Sequence, residues 1–289
     1  MTILHILILA IIQGAAELLP VSSSAHVIVA EKLLGLDPTR PEMTLLLVML
    51  HTGTMFAVIC FYWKLWRAVF FRSRAECLAF LRLLAAATAL TGVVGLGLKF
   101  IIEKVALKGV AHAEVEMIFG NLTLISASLA VVGGLICYSG LKTHRSPEGG
   151  GAVDFAGACS MGAIQGLCLP FRGFSRSGAT ISTGLILGLS RLQVEAFSFA
   201  LAVVLTPPII VLEAARLVKA QHAAAAVGAG TSLVGLVLPS LIGMVLSFGT
   251  GLLALRWLSA WLEKGRWHLF GIYCLCASMV TFVLSWSGL

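Results

Sequence analysis

Two stretches decide the fold: Gln13-Gly14-Ala15-Ala16-Glu17-Leu18-Leu19-Pro20-Val21-Ser22-Ser23-Ser24-Ala25-His26, and Gln165-Gly166-Leu167-Cys168-Leu169-Pro170-Phe171-Arg172-Gly173-Phe174-Ser175-Arg176-Ser177-Gly178-Ala179-Thr180. Each reads Gln-Gly, a short apolar run, Pro, then a Ser-rich turn that opens another apolar segment, and they lie about one hundred and fifty residues apart. Polar and ionisable groups repeated in this way inside apolar sequence predict a duplicated membrane fold with its site between the halves.

Composition fixes the solvent. Of 289 residues, 59% are hydrophobic and 11% charged, and the mean hydropathy is +1.00, beyond what a water-soluble core of this size requires. Nearly uncharged runs at 44–63, 83–98, 117–141, 196–212, 223–255 and 267–286 predict six spans, because a helix needs roughly 20 residues to cross a bilayer. The run at 83–98 is short and is expected to recruit residues from Cys77 onward, and Pro207-Pro208 is expected to kink or interrupt the fourth span. The apolar stretches 1–34 and 155–189 are each split by Pro and a Ser cluster into halves too short to span, so each reads as a re-entrant helix-turn-helix. The first lacks a basic leader and carries Glu17 and His26 where the apolar core of a secretory signal would continue, which argues against a signal peptide.

The expected architecture is an all-α integral membrane protein, six transmembrane helices plus two re-entrant helix-turn-helix elements in an inverted repeat. It forms one membrane domain over 1–289, with a first repeat at 1–141 and a second at 153–289. Each half contains an odd number of crossings, so the second enters the membrane upside down relative to the first. Lys64, Arg67, Arg72, Arg74 and Arg82 crowd the first inter-span loop, Lys142 and Arg145 the third, and Arg256, Lys264 and Arg266 the fifth. Lys32, Arg40, Lys99, Lys104, Lys108, Arg216 and Lys219 lie opposite, among Asp and Glu. This bias places the basic loops in the cytoplasm and both termini outside.

The net charge of +7 is accounted for by those loops and by attraction to anionic membrane lipids. Nucleic acid is excluded as a partner by the lack of a soluble domain or an interleaved basic and aromatic patch. Seven cysteines without a Cys-x-x-Cys pair read as small buried hydrophobes. Gly149-Gly150-Gly151 reads as a linker between halves, having neither the Lys-Ser/Thr nor the preceding strand of a phosphate loop.

Gln13 and Glu17, four residues apart, share a helix face. Pro20 ends that helix, and Ser22, Ser23 and Ser24 sit where the next begins, with His26 on its first turn. Ser175, Arg176, Ser177, Gly178 and Thr180 stand at an equivalent helix start. In an inverted repeat the two positive helix ends face one another with Arg176 between them, which makes an anion site. A buried Arg costs at least about 2.5 to 3.5 kcal/mol on insertion scales and so needs a partner. That partner is Glu17 or capping carbonyls on a structural reading. On a functional reading it is phosphate oxygens, which a planar fork flanked by Ser175, Ser177 and a glycine suits better.

Glu17 would repel an anion unless it holds a divalent cation, Mg²⁺ or Ca²⁺, or moves a proton; its plain alternative is an ion pair with Arg176. His26 suits proton transfer at neutral pH, against a plain alternative as a hydrogen-bonded spacer. His51, beside Thr52 and Thr54 in the first span, is a weaker candidate for the same cavity, and Arg172 is read as stabilising its loop. Ser22 is placed as the cap. Ser23, three residues before His26, is placed as a nucleophile activated by Glu17 or His26, with an activated water as the alternative. Gln13, Ser22, Ser24, Ser175, Ser177 and Thr180 complete the expected binding set.

At these residues the chain resembles the undecaprenyl-diphosphate phosphatase family, bacterial membrane enzymes linked to bacitracin resistance. The likeness runs over essentially the whole chain, including Leu50-His51-Thr52-Gly53-Thr54. Gln13-x-x-x-Glu17 is similar to the family's (Glu/Gln)-x-x-x-Glu motif. Pro20-Val21-Ser22-Ser23-Ser24-Ala25-His26 is similar to Pro-x-Ser-Ser-x-Gly-His, and the run from Gly173 to Thr180 to Gly-x-Ser-Arg-Ser-Gly-x-Thr. Three departures stand out: Gln13 where many members carry Glu, Ala25 for Gly, and Phe171-Arg172 between the usual Pro and Gly. The resemblance implies hydrolysis of a long-chain prenyl diphosphate, undecaprenyl diphosphate, to the monophosphate plus inorganic phosphate. It places the reaction at the outer face of the bacterial cytoplasmic membrane, where it recycles the lipid carrier of peptidoglycan synthesis. A lipid-phosphate or anion transporter is the rival reading, since facing half-helices are also transporter architecture. Oligomeric state, a homodimer included, is left open.

Overall fold

The computed structural model describes residues 2–37, 41–106, 118–144, 150–226 and 233–287. Arg40, Lys108, Arg145 and Gly149 of the sequence argument lie outside the described residues, as do the side chains of Arg216 and Lys219. Among these residues ten α-helices follow one another: α1 (Ile3–Leu18), α2 (Ser23–Leu33), α3 (Pro41–Val69), α4 (Arg74–Ile101), α5 (Leu122–His144), α6 (Phe155–Cys168), α7 (Arg176–Ile186), α8 (Arg191–Ala226), α9 (Leu233–Glu263) and α10 (Trp267–Trp286). Among the described residues there is no strand beyond an isolated bridge between Gly151 and Leu189.

Among the described residues six segments are long and apolar enough to cross a membrane: Met43–Val69, Arg74–Val105, Leu122–Thr143, Arg191–Leu212, Val237–Glu263 and Trp267–Trp286. They overlap the six expected runs, with ends shifted by several residues in places and three differences that have a physical reason or consequence. The second starts at Arg74 rather than Cys77, because the Ser73 hydroxyl caps α4 by accepting from the Glu76 N–H. The fifth is displaced toward the C-terminus: 223–226 belong to the end of α8, and α9 runs on through Arg256 to Glu263. Pro207-Pro208 do not interrupt α8, which continues to Ala226. The Thr206 hydroxyl donates to the Ala202 carbonyl at 2.7 Å beside the bonds that the prolines cannot make.

The two motif stretches each fold as a pair of short helices around a turn, α1 with α2 and α6 with α7, of 11 to 16 residues per helix. The packing repeats across the halves. α1 lies on α9 as α6 lies on α4, and the corresponding helices α3 and α8, and α5 and α10, pack against each other. The repeated Gln-Gly has one reason in both places. A Cβ on Gly14 would meet the Ser247 carbonyl oxygen of α9 at 2.8 Å, and one on Gly166 would meet the Thr91 carbonyl oxygen of α4 at 2.8 Å. Only glycine lets each short helix approach its long neighbour so closely.

Side chains on the outer faces are apolar. Val93, Leu96 and Phe100 of α4 and Met279, Val280 and Val283 of α10 are all largely exposed, as a lipid-facing surface requires. The interior holds a large cluster that includes Tyr62, Trp66, Phe197, Phe199 and Trp267. Inside it the Tyr62 and Ser259 hydroxyls both donate to buried Glu195, tying α3, α8 and α9 together. Of the cysteines, expected as small buried hydrophobes, Cys168 and Cys274 are buried, Cys77, Cys137 and Cys159 are partly buried, and Cys60 and Cys276 are exposed.

Candidate active site

The turns that follow α1 and α6 meet over one cavity of about 410 Å³. Its polar lining is Glu17, Ser22, Ser23, Ser24, Thr44, His51, Arg172, Ser175, Arg176, Ser177 and Thr206. The apolar wall comes from α3 (Leu47, Val48), from α8 (Ile210) and from the second turn (Leu169, Phe171, Phe174). A cavity lined by charged, hydroxyl and apolar side chains together suits a ligand with a charged head and an oily tail.

Glu17 is the centre of this arrangement. Ser23 Oγ donates to its Oε2 at 2.6 Å, Gln13 Nε2 donates to the same oxygen at 3.1 Å, and Arg176 Nη2 reaches Oε1 at 2.8 Å. His51 Nε2 stands 3.8 Å from Oε2. The ring's Nδ1–H donates to the Leu47 carbonyl at 2.8 Å, so Nε2 is the nitrogen left to accept a proton. Glu17 and Arg176 keep only 14% and 22% of their side-chain surface exposed. That is far enough out of water for their charges to act strongly on a third group.

Local sequence explains the placement. Pro20 and the turn around it end α1 just after Glu17, and Ser23, six residues on, folds back across that break at the first turn of α2. Arg176 is the first residue of α7, whose start is capped by Ser175 Oγ accepting from the Gly178 N–H at 3.2 Å. Gly173, at φ 93°, makes the preceding bend, where a Cβ would meet the Ile125 carbonyl oxygen at 2.5 Å. The free N–H groups of α2 and α7 therefore start beside the cavity, with Arg176 among them. The Arg176–Glu17 pair that the sequence carried as an alternative is present, and the same guanidinium lines the cavity.

Several expected members take other roles, and three of them, His26, Gln13 and Thr180, do not line the cavity. His26 does not meet Ser23 and does not line the cavity. Its Nδ1 bonds back to the Ser22 carbonyl at 2.8 Å and its Nε2 meets the Tyr273 hydroxyl at 2.6 Å. Ser22 occupies the cap position without capping, its hydroxyl lying 3.3 Å from Ser24 Oγ. Gln13 is buried behind Glu17 and holds the carboxylate rather than facing the cavity. Thr180 is buried too, bonded to the Arg176 carbonyl at 2.9 Å and to Ser198 Oγ at 2.5 Å, so it supports α7 from behind. Arg172 lines the rim with its guanidinium 4.4 Å from the Phe119 ring centre. His51, the weaker candidate by sequence, is the histidine that faces Glu17.

A divalent cation fits here in a limited sense. Among the described residues no group of three or more His, Cys, Asp or Glu gathers to hold a metal. Glu17 is the single carboxylate on the cavity wall. One carboxylate plus ligand phosphates is a known mode for Mg²⁺, which keeps most of its own waters.

Comparison with known proteins agrees with this geometry. Residues 6–280 match the family model described as bacitracin resistance protein BacA. Undecaprenyl-diphosphatase 2 of Acinetobacter baylyi is 56% identical over 285 residues, covering 99% of each chain. Undecaprenyl-diphosphatases of Desulfosudis oleivorans and Bacteroides fragilis are 33% and 30% identical, each covering at least 96% of this chain and 97% of the relative. The chain belongs to the bacitracin resistance protein BacA family.

Proposed function

We propose that the protein hydrolyses undecaprenyl diphosphate to undecaprenyl phosphate and inorganic phosphate. The observation that carries the reading is Ser23 Oγ held 2.6 Å from a carboxylate that also faces Arg176, beside a cavity lined by both polar and apolar side chains. A binding or transport site for the same anion gains nothing from a carboxylate beside it, whereas a phosphatase needs one to take a proton. The names of the relatives point the same way.

In this reading Ser23 Oγ gives its proton to Glu17 Oε2 and attacks the terminal phosphorus. The Oγ–P bond forms as the bond to the bridging oxygen breaks, and that oxygen leaves with the electron pair on undecaprenyl phosphate. Arg176 and the N–H groups at the starts of α2 and α7 stabilise the charge on the transferred phosphoryl group. Water then attacks the phosphoserine. Its proton goes to His51 Nε2, Glu17 returns its proton to Ser23 Oγ, and inorganic phosphate departs. A serine nucleophile and a water nucleophile each need a proton acceptor, and Glu17 with His51 supplies both. A Mg²⁺ or Ca²⁺ ion, arriving with the substrate and shared with Glu17, would neutralise phosphate charge. On that account exhaustive chelation lowers turnover and either ion restores it; turnover unchanged by chelation removes the cation.

The test of the function is release of inorganic phosphate from undecaprenyl diphosphate by purified protein in detergent, where transport has no meaning. One phosphate per monophosphate formed supports hydrolysis. Saturable binding without release supports the transporter.

We further propose that the two short helix pairs re-enter the bilayer from opposite faces as parts of an inverted repeat, with the cavity open to the outer face of the bacterial inner membrane. The repeated packing of α1 on α9 and α6 on α4 supports it, as does the basic first loop. On a cysteine-free background, Arg74→Cys and Gly151→Cys are expected to react with an impermeant thiol reagent only from the cytoplasm. Gly151 has open space for a Cβ, whereas one at Gly150 would meet the Leu189 carbonyl carbon at 2.4 Å. Labelling of Gly151→Cys in intact cells would overturn the inverted arrangement.

A further inference from the structure

Ser22 is the single non-glycine residue with positive φ among the described residues, at φ 68° and ψ 94°. An L side chain holds such a conformation only where its surroundings over-determine it. The hydroxyl contributes no helix cap. The carbonyl is held instead: it accepts from the His26 N–H at 3.4 Å and from His26 Nδ1 at 2.8 Å, so the ring makes the shorter bond.

With Nδ1 as donor, the other ring nitrogen is the acceptor of a neutral imidazole, and the Tyr273 hydroxyl donates to it at 2.6 Å. The two rings also stack, with centroids 5.7 Å apart and planes 14° from parallel. Tyr273 belongs to α10, in the other half of the chain. Its neighbour Cys274 donates through sulfur to the Pro20 carbonyl at 3.3 Å. One turn of α10 thus holds the α1–α2 turn at two points, directly at the Pro20 carbonyl and through His26 at the Ser22 carbonyl. Ser23, the next residue, is the one aimed at Glu17.

We infer that Tyr273 is a positioning residue for the reaction proposed above: through His26 it holds the Ser22 carbonyl, and so sets the turn that points Ser23 Oγ at Glu17. Neither Tyr273 nor His26 lines the cavity, so neither is assigned a proton transfer to substrate. The inference rests on Ser23 as the attacking group.

The test is a rapid-quench single turnover of undecaprenyl diphosphate labelled in its terminal phosphate, with the purified full chain in detergent. The rate constant reports geometry in each active molecule, and the amplitude counts active molecules, so partial misfolding lowers the amplitude alone. Tyr273→Phe keeps the ring and removes one hydroxyl; the rate constant is expected to fall about fivefold, the worth of one neutral hydrogen bond, with substrate affinity unchanged. His26→Ala is expected to fall further, and adding Tyr273→Phe to it should change nothing, because the tyrosine acts through the imidazole. His26→Asn, which keeps an N–H near the place of Nδ1, should be faster than His26→Ala and insensitive to Tyr273→Phe. A wild-type rate constant in Tyr273→Phe, or independent multiplication of the two effects, overturns the inference. Ser23→Ala run alongside separates the two levels. If it turns over normally, the attacking-group reading falls and this one with it; if it is inactive while Tyr273→Phe matches wild type, only the positioning role falls.

Discussion

Ser23→Ala is expected to lower turnover by at least about a thousandfold, the scale on which enzymes lose rate when a covalent nucleophile is removed. Binding of the diphosphate should persist. The only hydrogen bond of the Ser23 hydroxyl described is the one to Glu17, and the oxygen it leaves still accepts from Gln13 at 3.1 Å, so the carboxylate is not stranded. Ser23→Cys is expected to retain a trace, since sulfur is nucleophilic but longer in reach. The measurement is kcat with purified variants, beside substrate affinity by direct binding. If Ser23→Ala keeps more than about a tenth of wild-type kcat, a barrier change under ~1.4 kcal/mol, water rather than serine attacks phosphorus.

Arg176→Lys is expected to cost about tenfold to a hundredfold in kcat/KM, taking roughly 1.5 to 3 kcal/mol for a charge-assisted hydrogen bond. Lysine keeps the charge beside Glu17 but is a point charge, whereas the guanidinium can hold Glu17 Oε1 through Nη2 and still present further N–H groups to phosphate. Arg176→Ala is the poorer experiment. It leaves a largely buried carboxylate without its cation, and removing one partner of a buried pair destabilises by about 3 to 5 kcal/mol. Near-normal kcat/KM in a folded Arg176→Lys protein would reduce Arg176 to a structural partner of Glu17.

What the sequence made legible was whatever depends on composition or on regular spacing. Six spans follow from apolar length, and the two short helix pairs from Pro20 and Pro170 with their serine clusters. The meeting of Glu17 with Arg176, 159 residues apart, followed from the repeat, since a duplicated motif has reason to face its copy. That His26 bonds away from Ser23 has a definite cause. Helical spacing put it on a face with Ser23, but a histidine at the start of a helix can bond back to the carbonyl four residues earlier, and Tyr273 locks it there. Tyr273 is 247 residues away and carries no repeat or motif, so nothing local could nominate it.

The Glu17–Ser23 contact crosses a helix break, where neither the 3.6-residue period nor any other applies, and the positive φ of Ser22 is not written in the residue type. By sequence His51 is the weaker candidate, because a lone histidine in a span has many structural uses. Only the fold shows that its Leu47 bond turns the second nitrogen toward Glu17. Thr180 looked like a ligand donor because it shares a helix start with Arg176, yet it lies one turn inside α7, where its hydroxyl satisfies the helix's own carbonyl.

The central claim is that Glu17 and Ser23, joined across the α1–α2 turn, form the group that takes phosphate from the lipid. It is tested most directly by quenching the purified protein in acid during turnover of substrate labelled in its terminal phosphate, then mapping label on the peptides. The account predicts label on Ser23, chased off by further incubation and lost in Glu17→Gln. Brisk release of inorganic phosphate with no label on Ser23 at any quench time, under conditions that preserve phosphoserine, would contradict it.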